Sequence, residues 1–439
     1  MPIELLGGIR TRRKSLVLLS FNVEDFCILS TAGVGGLGKT ALAQLVFNDE
    51  KIKKEFPDST YRLWVCVSNE DKEQFDETAI LCKILELVTK VKPDNNSTKE
   101  FVQKEFQEKM RGKKYVLVLD DVWNEDREKW SRLEDFLRMG DGGSKIIVTT
   151  RSEQTAKIID NKHVYRLDGL SQEYSHHLFE MSAFGEEKNN EYREIGEKIV
   201  RKCHRNPLAI KVIGSLLYGQ DLSKRELIEK SELADISEGS DKILPILKLS
   251  YYNLAPLLKS CFSYCALFPK DFQMDNKMLI SLWIAQGYVV EDVAEQYFLI
   301  LMRRCFFQDV QEDRYGNIVS VKIHDLMHDV AQEVSKEEIS DVSSGEINLG
   351  EKDRHVNIIS DGIANLSLCS RRIRSYISRN KMTTCSLWEY LTTLRVLDLS
   401  YSDFTSLPQM IDRLLLLRYL NLGHNRSLVI LPDSITKTI

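Results

Sequence analysis

Residues 33–40 read GVGGLGKT, the pattern G-x-x-x-x-G-K-[ST]. Those residue types at that spacing suit the holding of a phosphate chain. Gly33, Gly35, Gly36 and Gly38 let the backbone wrap an anion without Cβ clashes. A helix starting over Lys39, Thr40 and Ala41 then aims N–H groups and a positive helix end at it. Lys39 can reach the β- and γ-phosphates, and the Thr40 hydroxyl can bind Mg²⁺. A second element lies 81 residues after Lys39, where VLVL runs into Asp120 and Asp121. Asp120 suits a metal, held directly or through its waters. Asp121, pointing to the other side, can orient or deprotonate an attacking water. The competing reading of the pair is a helix N-cap. A third element, IIVTTR, ends in Arg151, which can sense or neutralise γ-phosphate charge. The ligand these groups call for is a nucleoside di- or triphosphate.

Bringing three such elements together demands strands lying side by side and pointing the same way. Strand-like runs fall at 26–30, 62–67, 115–119, 145–150 and 164–167, with helical stretches at 39–47, 75–89, 99–111 and 129–137 between them. Runs 115–119 and 146–148 are continuously apolar, as strands covered on both faces are. That predicts a doubly wound α/β domain over 1–167, with its ligand at the carboxyl ends of the strands. Residues 168–242 read as a polar helical domain, in which the turn RNPLA (205–209) opens an apolar helix over 210–218. Residues 243–335 hold helices with aromatics such as CFSYCALFP (261–269), then hairpin-like runs at 306–310 and 318–323 around a Tyr-Gly-Asn turn. Helices followed by a hairpin suggest a winged helix. The segment lacks a basic recognition face, so an interface role is expected rather than nucleic-acid binding.

Bulk properties narrow the class. At 439 residues the chain has room for about three domains of ~150 residues. With 43% hydrophobic and 28% charged residues it is globular, and a net charge of −5 gives no footprint for nucleic acid. No stretch approaches a membrane span, and the N-terminus does not read as a signal peptide. Nine cysteines, with no C-x-x-C pair, fit reduced thiols and a cytoplasmic setting. Cys261 and Cys265 share a helix face and are expected in the core.

Beyond a charged link the chain repeats itself. LRVLDL (394–399) recurs as LRYLNL (417–422), a period of 23, and Leu407-Pro408 recurs as Leu431-Pro432. The L-x-x-L-x-L spacing is that of leucine-rich repeats. Residues 336–390 are assigned to a linker and a degenerate first repeat around Ile373 to Ile377, and 391–439 to repeats. The array reaches Ile439 without a polar cap, so the chain is expected to be cut short.

This order of parts resembles the plant NB-ARC/leucine-rich-repeat disease-resistance proteins. The resemblance covers roughly residues 5–439, and Trp123 after the Asp pair is the residue typical of the coiled-coil branch. It implies a multidomain chain: an α/β P-loop NTPase domain, a helical domain, a winged-helix domain and the start of a leucine-rich-repeat solenoid. The implied function is an intracellular switch in defence against pathogens, resting with ADP and active with ATP and Mg²⁺. Hydrolysis would be at most a slow reset. The implied partners are a pathogen effector or guarded host protein, reached through the repeats of a full-length form, and further copies of the chain in the ATP state.

By the same resemblance Pro207 packs against adenine and a Met-His-Asp motif touches the β-phosphate. Two candidates lie four residues apart, Ile323-His324-Asp325 and Met327-His328-Asp329. The frame around the first fits better, so His324 is assigned the contact, with Asp325 holding it. A metalloprotease reading of His324 and His328 lacks the usual Glu in second position. Departures from the family pattern are Gly7-Gly8 without a following Arg, Arg205 where Gly is usual, Ile323 for Met, and no signalling domain before residue 1. Two other readings stay open: an ATPase whose turnover is its purpose, and a truncated product with residual nucleotide binding.

Overall fold

The computed structural model describes residues 25–67, 75–91, 93, 97–160, 162–185, 193–220, 243–335, 338–342, 352–358, 372–378, 391–402, 404–407 and 409–437. Gly7, Gly8 and Pro408 lie outside them. The chain divides into two compact units, Met1–Ile246 and Leu247–Ile439.

In the first unit β1 (Cys27–Ala32), β2 (Arg62–Cys66), β3 (Val116–Asp120), β4 (Lys145–Thr150) and β5 (Val164–Arg166) form a parallel sheet in the order β2-β3-β4-β1-β5. Strand β3 explains why the sheet is covered twice. Its Leu117 and Leu119 pack with Ile80, Ile84, Phe106 and Trp130, while Val116 and Val118 pack with Leu42, Val46 and Phe56. A strand apolar on both faces is satisfied only between two helical layers.

Those layers come from α1 (Lys39–Phe47), α2 (Glu50–Glu55), α3 (Glu77–Thr89), α4 (Lys99–Met110), α5 (Arg127–Leu137) and α6 (Glu153–Ile159). Asp76, Thr98, Asp126 and Ser152 cap α3 to α6 by accepting from their first free N–H groups. Strand β1 runs two residues beyond the expected 26–30, to Ala32. Ser30 and Thr31 are polar yet buried, because β4 and β5 flank them on either side. Three further helices, α7 (Gln172–Phe184), α8 (Arg193–Lys202) and α9 (Pro207–Leu217), follow the sheet.

The unit division falls within α10 (Ile243–Tyr252). The second unit continues with α11 (Pro256–Tyr264), β6 (Met274–Asp275), α12 (Asn276–Gln286), α13 (Glu291–Arg303), β7 (Phe307–Glu312), β8 (Ile318–Ile323) and α14 (Asp325–Ser335). Strands β6, β8 and β7 make an antiparallel sheet in that order, the wing of a winged helix. Cys261 and Cys265 are buried in its core, where burial pushes the Cys261 thiol up to about 12.

A second parallel sheet follows, in the order β13-β12-β11-β10-β9: β9 (Ile339–Val342), β10 (His355–Ile358), β11 (Ser375–Ser378), β12 (Val396–Asp398) and β13 (Tyr419–Asn421). Val396 pairs with Tyr419 and Asp398 with Asn421, in register with the 23-residue period. The stretch expected as linker thus carries two strands, β9 and β10, ahead of the forerunner strand β11. Strand β10 escapes the leucine pattern because two of its four positions, His355 and Asn357, are polar and buried within this unit. Asn357 Nδ2 donates to Leu267 O at 2.7 Å, and Tyr264 Oη shares a hydrogen bond with Ser375 Oγ at 2.8 Å. His355 bridges Ser375 Oγ (2.9 Å) and Tyr288 Oη (3.1 Å).

Candidate functional site

Gly36 and Gly38 have φ of +77° and +89°, a left-handed backbone that glycine adopts without penalty. The turn they make after β1 points α1 back across the sheet, so the loop lies at the carboxyl end of β1. Lys39 is the first residue of α1 and is buried, and its ammonium folds over the loop. Nζ donates to Gly33 O at 2.7 Å and to Val34 O at 3.1 Å. Thr40 and Ala41 follow in the first turn of α1, whose leading N–H groups have no partner within the helix.

The strand ends of β3 and β4 bring up the acidic and basic groups. Thr40 Oγ1 donates to Asp120 Oδ1 at 3.0 Å, and Thr149 Oγ1 donates to the same oxygen. Thr40 and Asp120 are 80 residues apart in sequence and adjacent in space. Their oxygens are the hard donors that Mg²⁺ prefers. Asp121 turns the other way: its φ is +55°, and its N–H is held by Thr149 Oγ1 at 2.9 Å. A non-glycine residue in this region stores local strain. Arg151 lies against it, with Nε 3.4 Å from Oδ1 and Nη2 3.4 Å from Oδ2. Lys39, Thr40, Asp120, Asp121 and Arg151 therefore form one cluster at three strand ends. The N-cap reading of the Asp pair does not describe this geometry, since Asp126 caps the next helix.

Pro207 is the first residue of α9, and the residue before it does what the sequence reading missed. Asn206 is buried; its Nδ2 donates to Gly35 O at 2.8 Å, and its Oδ1 caps α9 by accepting from Leu208 N (3.0 Å) and Ala209 N (3.2 Å). Leu208 N also donates to Gly36 O at 3.3 Å. One asparagine thus bolts the phosphate loop to the helical segment 171 residues further on. A Cβ on Gly36 would meet Asn206 Oδ1 at 2.7 Å, so this glycine serves the bolt as well as the turn. The readable signal was Asn directly before Pro at a helix start.

Arg205 has φ of +56°, which accounts physically for the glycine usual in its place. Two substitutions here should move stability in opposite directions. Asn206→Ala should destabilise the first unit by about 2 kcal/mol, from a lost cap and a lost hydrogen bond. Arg205→Gly should stabilise it by about 1 kcal/mol, by relieving the left-handed backbone. Urea unfolding of the two variants checks both signs; a neutral Asn206→Ala would mean the bolt carries no load.

His324 and His328 lie in the second unit. His324 is half-buried just before α14, and its Nδ1 accepts from Leu326 N at 3.2 Å. His328 is fully buried, and its Nε2 hydrogen-bonds Phe268 O at 2.7 Å. Burial lowers the His328 pKa, so its ring is neutral. Asp329 pairs with Lys270 at 2.6 Å. The literal Met-His-Asp triplet is thus tied to Phe268 and Lys270 within this unit. Among the described residues no group of three or more His, Cys, Asp or Glu side chains could hold a metal ion. No helix among them is long and apolar enough to cross a membrane.

Comparison with known proteins bears on the same segments. Residues 14–189 match the NB-ARC domain family, and residues 267–331 match the disease resistance protein winged helix domain. The putative disease resistance protein RGA4 of Solanum bulbocastanum is 38% identical over 401 residues, covering 89% of this chain and 38% of that protein. Disease resistance protein RGA2 of the same species is 36% identical over 424 residues, covering 94% of this chain and 41% of its own length. The chain therefore spans about two fifths of the length of these relatives. A signal-transduction ATPase of the STAND class from Pyrococcus horikoshii overlaps 73% of this chain and 42% of its own, at 17% identity and a TM-score of 0.41, a likeness too loose to bear on function. The chain belongs to the plant NB-ARC disease-resistance protein family, with an NB-ARC domain that implies nucleotide binding and a disease-resistance winged helix after it.

Proposed function

We propose that this chain is the nucleotide switch of a plant immune receptor, resting with ADP and signalling with ATP. The observation that carries the reading is the convergence of Lys39, Thr40, Asp120, Asp121 and Arg151 at three adjacent strand ends. In this reading the loop from Gly33 to Ala41 cradles the phosphates and Lys39 neutralises them. Mg²⁺ is held by Thr40 and Asp120, where it would offset phosphate charge. Arg151 answers to the γ-phosphate, and Asp121 orients a water for slow hydrolysis that resets the state. Pro207 packs against the adenine, and His324, held by Asp325, takes the β-phosphate. Residues 1–167, 168–242 and 243–335 then serve as nucleotide-binding, helical and winged-helix domains. Residues 336–390 lead into leucine-rich repeats over 391–439, which in a longer form meet an effector or guarded host protein in the cytoplasm.

The test is the nucleotide itself. The purified chain should carry ADP and turn over ATP once in many minutes; several turnovers per second would favour an ATPase whose turnover is the purpose. His324→Ala should speed ADP release about tenfold, the loss of one charge-assisted contact, and His328→Ala should leave the rate alone while lowering stability. Release that responds only to His328 would overturn the assignment of the switch histidine.

A further inference from the structure

The loop after β3 holds a residue that the phosphate and metal chemistry leaves idle. Trp123 is 52% exposed, whereas Trp130 and Trp283 are buried. Its ring is not idle: the Arg151 guanidinium lies over it, with Cζ 5.2 Å from the centroid. The same guanidinium lies side-on to Asp121 through two contacts of 3.4 Å. Those contacts are about 0.5 Å longer than a tight charge-assisted bond. The pair is held without being clenched.

The two partners are held differently. The Asp121 backbone is pinned by Thr149, whose Oγ1 accepts from Asp121 N at 2.9 Å and whose carbonyl accepts from Val122 N at 2.8 Å. Arg151 reaches the carboxylate at the end of a long stem with several rotatable bonds, its side chain 13% exposed, and an aromatic face attracts a guanidinium over much of its area. The indole therefore gives the guanidinium a surface to rest on without fixing one position.

We propose that Trp123 is a positioning residue that parks Arg151 on Asp121, and that a terminal phosphate draws the guanidinium away. The inference rests on the switch reading above. A bidentate guanidinium occupies the carboxylate oxygens that would otherwise face a water. While Arg151 is parked, the sensor and the water-orienting group mask each other. A γ-phosphate competes for the guanidinium with greater charge and three acceptor oxygens, so arrival of the triphosphate uncovers Asp121. With a diphosphate no such competitor exists at that place, and the pair stays closed.

Tryptophan emission tests this directly, because Trp123 is exposed and touches the moving group. The Trp123→Phe variant supplies the background from the other tryptophans and keeps a ring beneath Arg151. Wild-type chain loaded with a non-hydrolysable ATP analogue and Mg²⁺ should differ from the ADP-loaded chain in emission and in acrylamide quenching. That difference should vanish in Trp123→Phe. Arg151→Ala and Asp121→Asn should each show the analogue-like Trp123 signal without added nucleotide, the first by removing the cation and the second by releasing it. Asp121→Asn should also bind the analogue several-fold more tightly relative to ADP. Persistence of the difference in Trp123→Phe, or an Asp121→Asn signal equal to that of resting wild type, overturns the proposal. Calorimetry on the same samples separates the two readings. Failure to bind either nucleotide counts against the switch, while the signals of the two variants without added nucleotide still decide whether Arg151 is parked.

Discussion

Lys39→Ala should weaken binding of both ADP and ATP by roughly 100-fold or more while leaving the fold intact. The ammonium is buried and already bonded to Gly33 O and Val34 O, so it is held over the phosphate loop. A hydrogen bond to a charged group contributes about 1.5–3 kcal/mol, and a phosphate would accept more than one from this lysine. Alanine removes those bonds and a positive charge at once. It also frees two loop carbonyls, but these lie near solvent at the phosphate site and should cost under about 1 kcal/mol of stability. Isothermal titration with ADP and ATP, paired with urea unfolding, separates the two effects. Equal affinities in the variant and the parent would remove the phosphate-loop assignment altogether.

The second unit should be sensitive to acid through His355. Its ring is almost wholly buried between the repeat strands and the winged helix. Burial, and then the nearby Arg374, Arg354 and Arg395, push its pKa down to about 3. Tyr288 and Ser375 occupy its two nitrogens as neutral partners. In the unfolded chain the same ring titrates near 6.5. Below about pH 6.5 the unfolded state takes up a proton that the folded state refuses until about pH 3. Stability is therefore unaffected by this group above 6.5 and falls as the pH drops through that window. At pH 4.5 the loss amounts to about 3 kcal/mol. His355→Gln keeps a polar side chain but cannot charge. Urea unfolding followed by the buried Trp283 should show a steeper fall from pH 7 to 4.5 in the parent than in the variant. Parallel pH curves would show that the folded ring protonates as readily as the unfolded one.

The two histidine motifs show where reading from sequence stops. The neighbouring frame favours His324 over His328 as the phosphate contact, and the sequence goes no further. What each ring does needed the fold: the buried His328 spends its Nε2 on Phe268 O, 60 residues away. Likewise the forerunner strand at Ser375–Ser378 was legible from a weak echo of the repeat, but β9 and β10 were not. Strand β10 carries His355 and Asn357 in place of leucine, because the winged helix offers hydrogen-bonding groups there rather than an apolar surface.

What the sequence determined by itself is what depends on local spacing. The glycine–lysine–threonine run, the apolar strands ending in Asp120 and Thr150, and the 23-residue period each place their own chemistry within one or two elements. A loop between strand and helix must present its N–H groups to an anion wherever it occurs, so these features were readable without a fold. Only the tertiary structure decided the pairings between distant segments: Thr40 with Asp120, Asn206 with Gly35, Trp123 with Arg151, and His355 between Ser375 and Tyr288. Such contacts join groups whose types alone allow many partners. Sheet order and helix packing select one of them, and the strain at Asp121 is sustained by the Thr149 bonds that this order provides.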